Sequence, residues 1–233
     1  MGCSFCSSTV GGLIRNLSAG EMLEQIYRIQ SASKTRVSNV VVMGMGEPMD
    51  NYDNLVRFLK MVSDEKGLGI SGRNITVSSC GLAEKIRKFA DEGFSATLAL
   101  SLHASNQKTR ELLMPVARKY SIDEALSACR YYFERTKRRV TIEYSLAEGV
   151  NDTDENADEL SRLLKGALYH VNLIPINPAG EGNYRESKRA RVLAFKNKLE
   201  KYGINVTIRR EMGRDIDAAC GQLRKRFKDE RDG

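Results

Sequence analysis

Six short β-branched runs alternate with amphipathic stretches along this chain, and that alternation constrains its fold more than any other feature. The runs are Val40–Met43, Ile75–Val77, Ala96–Leu100, Val140–Tyr144, His170–Ile174 and Val206–Ile208. They are near-continuous in apolar character, as expected when both faces of a parallel sheet are covered. Between them lie helical stripes. Met22, Leu23, Ile26 and Ile29 share one face, behind a capping box at Ser18-Ala19-Gly20-Glu21. Further stripes run through Leu55, Val56, Leu59 and Val62, through Leu82, Ile86 and Phe89, and through Ile122, Ala125, Leu126, Cys129 and Phe133. The last two use Leu160, Leu163 and Leu164, then Val192, Phe195, Leu199 and Tyr202. Strand–helix alternation of this kind means βα units with right-handed crossovers. A closed barrel and a doubly wound open sheet give similar strings, so the pattern leaves both open.

No linker or composition shift divides the 233 residues, so one domain over 1–233 is expected. The chain opens differently from its later units. Loop-like sequence from Gly2 to Gly12 precedes the first helix, with no strand before Cys3. A βα unit begins with a strand, so the expectation is a sequence truncated at its N-terminus. No apolar run approaches the ~20 residues of a membrane span, and no signal peptide precedes the first helix. A cytoplasmic chain with no membrane attachment, its cysteines reduced or metal-bound, is expected. Lysine and arginine number 37 against 30 acidic residues, a formal charge of +7. That surplus is compatible with nucleic acid without proving it.

In parallel βα folds the chemistry gathers at the C-terminal ends of the strands. Those ends read Gly44-Met45-Gly46-Glu47-Pro48, Ser78-Ser79-Cys80-Gly81, Ser101-Leu102-His103, Glu143 to Ser145, and Pro175-Ile176-Asn177-Pro178. Each alone reads equally well as turn chemistry; five together favour a site. Cys3 and Cys6 form a C-x-x-C in the first loop. That spacing lets two thiolates reach one metal or cluster, though a redox pair fits as well. A zinc site wants a second such pair, and the remaining cysteines and the two histidines are scattered singly.

Gly2-Cys3-Ser4-Phe5-Cys6 resembles the end of the C-x-x-x-C-x-x-C motif of radical S-adenosylmethionine (SAM) enzymes. Arg15-Asn16-Leu17-Ser18, the Gly44–Pro48 loop, Ser101-Leu102-His103-Ala104, the segment 172–178 (NLIPINP) and the segment 215–223 (DIDAACGQL) narrow the match. Together they resemble the ribosomal RNA adenine-C2 methyltransferases of the RlmN/Cfr type, from Cys3 to about Leu223. The resemblance implies an α/β fold, a partial (β/α)6 radical SAM barrel lacking its first strand, without the family's N-terminal accessory domain. It implies two cofactors, a [4Fe–4S] cluster held by Cys3 and Cys6 and SAM. The family's first cluster cysteine would fall just upstream of Met1, and its upstream resolving cysteine, which implies a disulfide in the cycle, is also missing. The alternative is therefore a catalytically incomplete fragment that binds SAM or RNA only.

By the same resemblance, Gly46 and Glu47 hold the SAM ammonium, and Ser78, Ser101, Leu102, His103 and Asn177 complete the SAM contacts. Cys220 accepts a methyl group from one SAM, and a second SAM yields the radical that activates it toward carbon 2 of an adenine. Radical chemistry is needed because that amidine carbon is electrophilic. The implied partners are 23S rRNA, for some members also tRNA, and a reductant such as flavodoxin or ferredoxin; the chain is expected to act as a monomer. Cys129 falls on an apolar helix stripe and reads as core. Cys80 reads as structural. Two basic clusters stand out, Arg130 with Arg135–Arg139 and Arg224–Lys228. A solvated face is their ordinary reading; an RNA substrate would favour phosphate contact.

Overall fold

The computed structural model describes residues 1–9, 12–176 and 184–209. Six strands form one sheet: β1 (Val40–Val42), β2 (Ile75–Ser79), β3 (Thr97–Ser101), β4 (Val140–Leu146), β5 (Tyr169–Pro175) and β6 (Asn205–Ile208). Every neighbouring pair is parallel, and the spatial order equals the sequence order. All six expected strands are therefore present. The helices are α1 (Ala19–Ser33), α2 (Tyr52–Ser63), α3 (Ala83–Asp91), α4 (Gln107–Leu113), α5 (Ile122–Thr136), α6 (Asp154–Leu164) and α7 (Arg189–Lys201). The stripes named above account for six of them. Helix α4 has only seven residues and no stripe long enough to read.

Strand order decides what the sequence pattern left open. A doubly wound sheet reverses direction at a switch point. Here the order runs one way throughout, and right-handed crossovers then put every helix on the same face. This is the winding of a barrel wall. The register bears it out. Ile75, Val77, Leu98, Leu100, Ile142, Tyr144, Val171 and Leu173 point to the helix side and are buried. The other face carries Thr76, Ser78, Thr97, Ser101, Thr141, His170 and Asn172, all half-buried. The expectation of two covered faces is thus corrected: one face is an apolar wall and the other a polar inner surface.

The core lies between the sheet's outer face and the helices. Phe89, Tyr132, Phe195 and Tyr144 are its largest aromatic members, each at most 1% exposed. Phe89 stacks on Tyr132 at 5.8 Å, and the Tyr132 hydroxyl donates to the Ala96 carbonyl at 2.7 Å. Cys129 is fully buried in this layer, as its stripe predicts. Ile29 and Tyr202, assigned to stripes, are instead exposed at 57% and 60%. Ile29 lies about one turn before the end of α1 and Tyr202 is the C-cap of α7, and neither side chain joins the core.

Two substitutions separate the faces. Leu100→Ala on the outer face should cost about 2–5 kcal/mol. Thr141→Ala on the inner face should cost less than ~1 kcal/mol. Urea denaturation of both variants measures the difference; equal losses would mean that both faces are packed.

Candidate active site

The rim at the C-terminal ends of β1, β2 and β3 is built from backbone groups as much as side chains. Gly46 turns the chain after β1 with φ +83°, a left-handed conformation that a side chain disfavours. An added Cβ there would meet nothing, so the turn is open to close approach. Glu47 follows. Its Oε1 accepts from the Met49 N–H at 3.1 Å, capping a short 3-10 turn, and its Oε2 accepts from the Cys80 N–H at 2.8 Å. Burial pushes this carboxyl above the usual range, and the hydrogen bonds from Cys80 and Met49 oppose the shift. The group is a fixed, partly desolvated carboxyl held at the rim by these hydrogen bonds.

Ser78 at the end of β2 and Ser101 at the end of β3 meet across the inner face, Oγ to Oγ 3.4 Å. Leu102 is fully buried. Its N–H donates to the Glu143 carbonyl at 3.1 Å and its C=O accepts from Arg110 Nε at 3.3 Å. Both polar groups of Leu102 are spent inside the protein, so it shapes the site through packing. His103 has φ +56° and is buried. Its Nδ1 accepts from the Ser145 N–H at 3.0 Å, which puts the ring proton on Nε2. Asn151, fully buried, donates to the His103 and Ser145 carbonyls and accepts from the Ala147 N–H, locking this corner.

The Cys3–Cys6 loop docks on the same rim at three points. The Ser4 N–H donates to the Leu113 carbonyl at 3.0 Å. Phe5 packs edge-on against His103 at 5.0 Å between centroids. Met1 Sδ lies 3.6 Å from Cys80 Sγ. Burial, then Cys6, pushes the Cys3 thiol up to about 11, so binding a metal ion must displace a proton there. The four described cysteines, Cys3, Cys6, Cys80 and Cys129, are free thiols. Two soft thiols in one docked loop suit an iron–sulfur cluster in kind. Among the described residues no group of three His, Cys, Asp or Glu gathers to hold a metal, and Cys3 and Cys6 are the two thiols this loop presents. Cys80 is more than structural packing, since its peptide N–H fixes Glu47 and its sulfur faces the loop.

The sequence reading missed three contributors: Arg110, Phe5 and Glu143 as an inner-face carboxylate. Glu143 is buried, opposite Ser101 in register, and its Oε2 accepts from Asn172 Nδ2 at 2.9 Å. Burial raises its carboxyl, and Asn172 opposes that shift. Asn177, Cys220 and the cluster Arg224–Lys228 lie outside the described residues. The first basic cluster is not at the site. Lys137, Arg138 and Arg139 precede β4, at the N-terminal rim, and β4 is seven residues or about 20 Å long. Arg135 pairs there with Asp91, and Arg138 donates to Thr97 at the start of β3. Arg130 is exposed on α5, on the outside of the wall.

A single-wound parallel barrel wall with a C-x-x-C loop docked on its C-terminal rim is the architecture of radical SAM proteins, and the comparisons agree. Residues 1–161 match the radical SAM superfamily, and the chain belongs to it. In structure it is similar to a radical SAM methyltransferase from Sphaerobacter thermophilus, with a TM-score of 0.90 and 47% identity over 95% of this chain and 66% of that one. Within the superfamily the chain belongs to the RlmN family. It is 59% identical over its whole length to the dual-specificity RNA methyltransferase RlmN of Lachnospira eligens, covering 67% of that protein. It is 61% identical over 98% of its length to that of Lachnoclostridium phytofermentans, covering 64%. The chain thus spans about two thirds of the length of these curated relatives. The family uses a [4Fe–4S] cluster and SAM.

His103 gives the site a pH signature. Burial first, and Arg110 second, push its imidazole down to about 3. In the unfolded chain it titrates near 6.5. The neutral ring therefore supports the fold fully above pH ~6.5, and this contribution is lost as pH falls from there toward 3, by up to about 1.4 kcal/mol per pH unit. His103→Asn, which tolerates the left-handed backbone, should flatten the pH dependence of denaturation over that range. An unchanged slope would mean that the ring is not buried neutral.

Proposed function

We propose that this chain is the catalytic barrel of an RNA methyltransferase that acts on carbon 2 of an adenine in 23S rRNA, and on tRNA as a second substrate, by radical SAM chemistry through an S-methylated Cys220. The convergence of the Cys3–Cys6 loop, Glu47 and the Ser78–Ser101 pair on one rim carries the reading. The relatives' name, dual-specificity RNA methyltransferase, supports RNA as the substrate. The cluster, when bound, supplies the electron that turns SAM into a radical source.

In this reading Glu47 accepts the SAM ammonium, with the open Gly46 turn admitting the ligand beside it. Ser78 and Ser101 offer hydroxyls from the inner face. His103 offers its Nε2–H, its other polar groups being spent. Leu102 packs beneath, and Asn177 completes the contacts. Cys220 takes the methyl group as a thiolate, the strongest nucleophile among the side chains. The reductant is flavodoxin or ferredoxin, and the compartment is the cytoplasm. Among the described residues no helix is long and apolar enough to cross a membrane.

RNA would approach the C-terminal rim, with the target adenine unstacked into the inner face. The cations suited to its phosphates are then those of the rim connections. Arg118 and Lys119 between β3 and α5, and Arg185 and Lys188 before α7, are all exposed there. They replace Arg135–Arg139 in that role.

Cys220→Ala should leave far-ultraviolet circular dichroism unchanged and abolish methyl transfer to RNA carrying the target adenine. Methylated product from that variant rejects the mechanism. Arg118→Ala should weaken RNA binding and reduce the salt slope by about 1, while Arg138→Ala leaves the slope unchanged. The reverse result would put RNA on the opposite rim.

A further inference from the structure

Glu143 is a carboxyl to which the function proposed above gives no task. It stands at the middle of β4 on the inner face, beside Ser101 of β3 and Asn172 of β5 in register. It is 6% exposed. None of the ion pairs among the described residues includes it. Arg209, just past β6, favours its charged form. A buried acid without a paired cation is costly, and on a lumen-facing surface it marks a functional group more often than a structural one.

The hydrogen bonds that lead to Glu143 all run in one direction. The Thr207 hydroxyl donates its hydrogen to Asn172 Oδ1 at 3.1 Å, so it accepts from His170 Nε2–H at 2.9 Å. With Oδ1 taken, Asn172 turns its amide nitrogen to Glu143 and donates to Oε2 at 2.9 Å. Three side chains of β5 and β6 therefore line up donor to acceptor and end on one carboxyl oxygen, each bond polarising the next. Among the described residues this is the carboxyl's single side-chain hydrogen bond, which leaves Oε1 as an acceptor. The acid is thus held in place by a chain whose polarity cannot be reversed at one link alone.

The chemistry of such an acceptor selects its ligand. It repels phosphate and the carbonyl edge of a base, and it takes an N–H. The SAM contacts proposed above on the strand ends, Glu47, Ser78, Ser101 and His103, belong to β1 to β3, and Glu143 and Asn172 continue the polar surface on β4 and β5. We propose that Glu143 reads the target base, its Oε1 accepting from the exocyclic amine of an adenine laid along the inner face, with Asn172, Thr207 and His170 as the positioning chain behind it. The proposal rests on the reading that an RNA adenine enters that face. An unstacked base is read by hydrogen bonds to its edge in this way. In adenine the amine-bearing carbon is separated from carbon 2 by one ring nitrogen, so holding the amine fixes the ring and leaves carbon 2 uncovered. Hypoxanthine carries a carbonyl where adenine has the amine. It sets acceptor against acceptor and is rejected.

The direction of the chain makes the test specific. In Glu143→Gln, Asn172 still donates, so the glutamine must turn its carbonyl to Asn172 and its amide N–H to the ligand. The preference for the base should then invert. Fluorescence anisotropy of RNA hairpins carrying one unpaired loop adenine, or hypoxanthine in its place, reads this directly. Wild type should bind the adenine hairpin about tenfold more tightly, and Glu143→Gln should bind the hypoxanthine hairpin more tightly, with unchanged far-ultraviolet circular dichroism. The same adenine preference in both proteins overturns the proposal; weakened SAM binding in that variant would then give the carboxyl to the cofactor's nucleoside. A wild-type chain that binds both hairpins equally overturns the proposal and leaves RNA as the substrate. One that binds neither overturns the RNA reading, and this proposal with it. Should the glutamine variant fail to fold, Thr207→Val, at an exposed position, decides. It removes the hydroxyl that fixes the Asn172 amide, so the adenine preference should fall; an unchanged preference there overturns the proposal.

Discussion

Winding in one direction is the constraint on which everything else in this structure depends. Six parallel strands in sequential order, joined by right-handed crossovers, put all the covering helices on one side. The outer face must then be apolar, and it is. The inner face is left without a covering layer, so its residues are those that tolerate water or a ligand. The register carries this to single residues. Ser101, Glu143, Asn172 and Thr207 form one row across β3 to β6. Glu143, Asn172 and Thr207 are joined in it by hydrogen bonds of 2.9 and 3.1 Å, and His170 adds a further bond to Thr207 at 2.9 Å. A polar row of this kind inside a doubly covered sheet would be costly to bury. Facing a lumen, it is a surface on which a polar ligand can lie.

The rim above that surface is held by peptide groups pinned from both sides. Glu47 holds the Cys80 N–H, and Arg110 holds the Cys80 C=O. The Glu143 carbonyl receives both Leu102 and His103 N–H groups. Asn151 ties the His103 and Ser145 carbonyls together. Hydrogen bonds to charged groups are worth about 1.5–3 kcal/mol each, more than neutral ones. Two charged side chains on one peptide therefore fix the end of β2 more firmly than turn propensity could. Gly81 follows at φ +98°, and a Cβ there would meet Arg110 Nη2 and Ala125 Cβ at 3.1 Å. The glycine lets the guanidinium come this close. The rim is preorganised before any ligand arrives, which lowers the ordering cost of binding.

Much of this was legible in the sequence, and the unread parts share a cause. The strands were legible because an apolar stripe of the outer face runs through each. Their one-sidedness was not, because Thr, Ala and Ser on the inner face do not break a β-branched run the way charges would. Glu47, Ser78, Ser101 and His103 were legible as strand ends that resemble a family's site. That Leu102 is sealed within the protein depends on a carbonyl 41 positions away and on Arg110. Arg110 itself was invisible for the same reason. Its partners stand 30, 8 and 10 residues away in sequence, and a lone arginine in a short polar helix reads as a solvated one. Phe5 lacked a signal because its partner, His103, is distant in sequence.

Composition could not place the first basic cluster on the barrel, and the topology explains why. In a parallel barrel wall every long helix runs back from the C-terminal rim to the N-terminal one. Helix N-termini therefore crowd the site rim and C-termini the opposite rim. Charges follow the helix dipole. First turns carry Glu21, Asp53, Glu84, Asp123, Glu124, Asp154 and Glu155, and last turns carry Lys60, Lys88, Arg135, Arg162, Lys198 and Lys201. The concentration of cations at Arg135–Arg139 thus has a sufficient cause in helix termination. A net charge of +7 says nothing about which end of the barrel meets a polyanion. At the site rim the helix N-termini supply partial positive charge, and the acidic first turns partly cancel it. The buried guanidinium of Arg110 adds a full positive charge beneath that rim, with no ion-paired acid among the described residues, so the charge there does not come from the surface clusters alone.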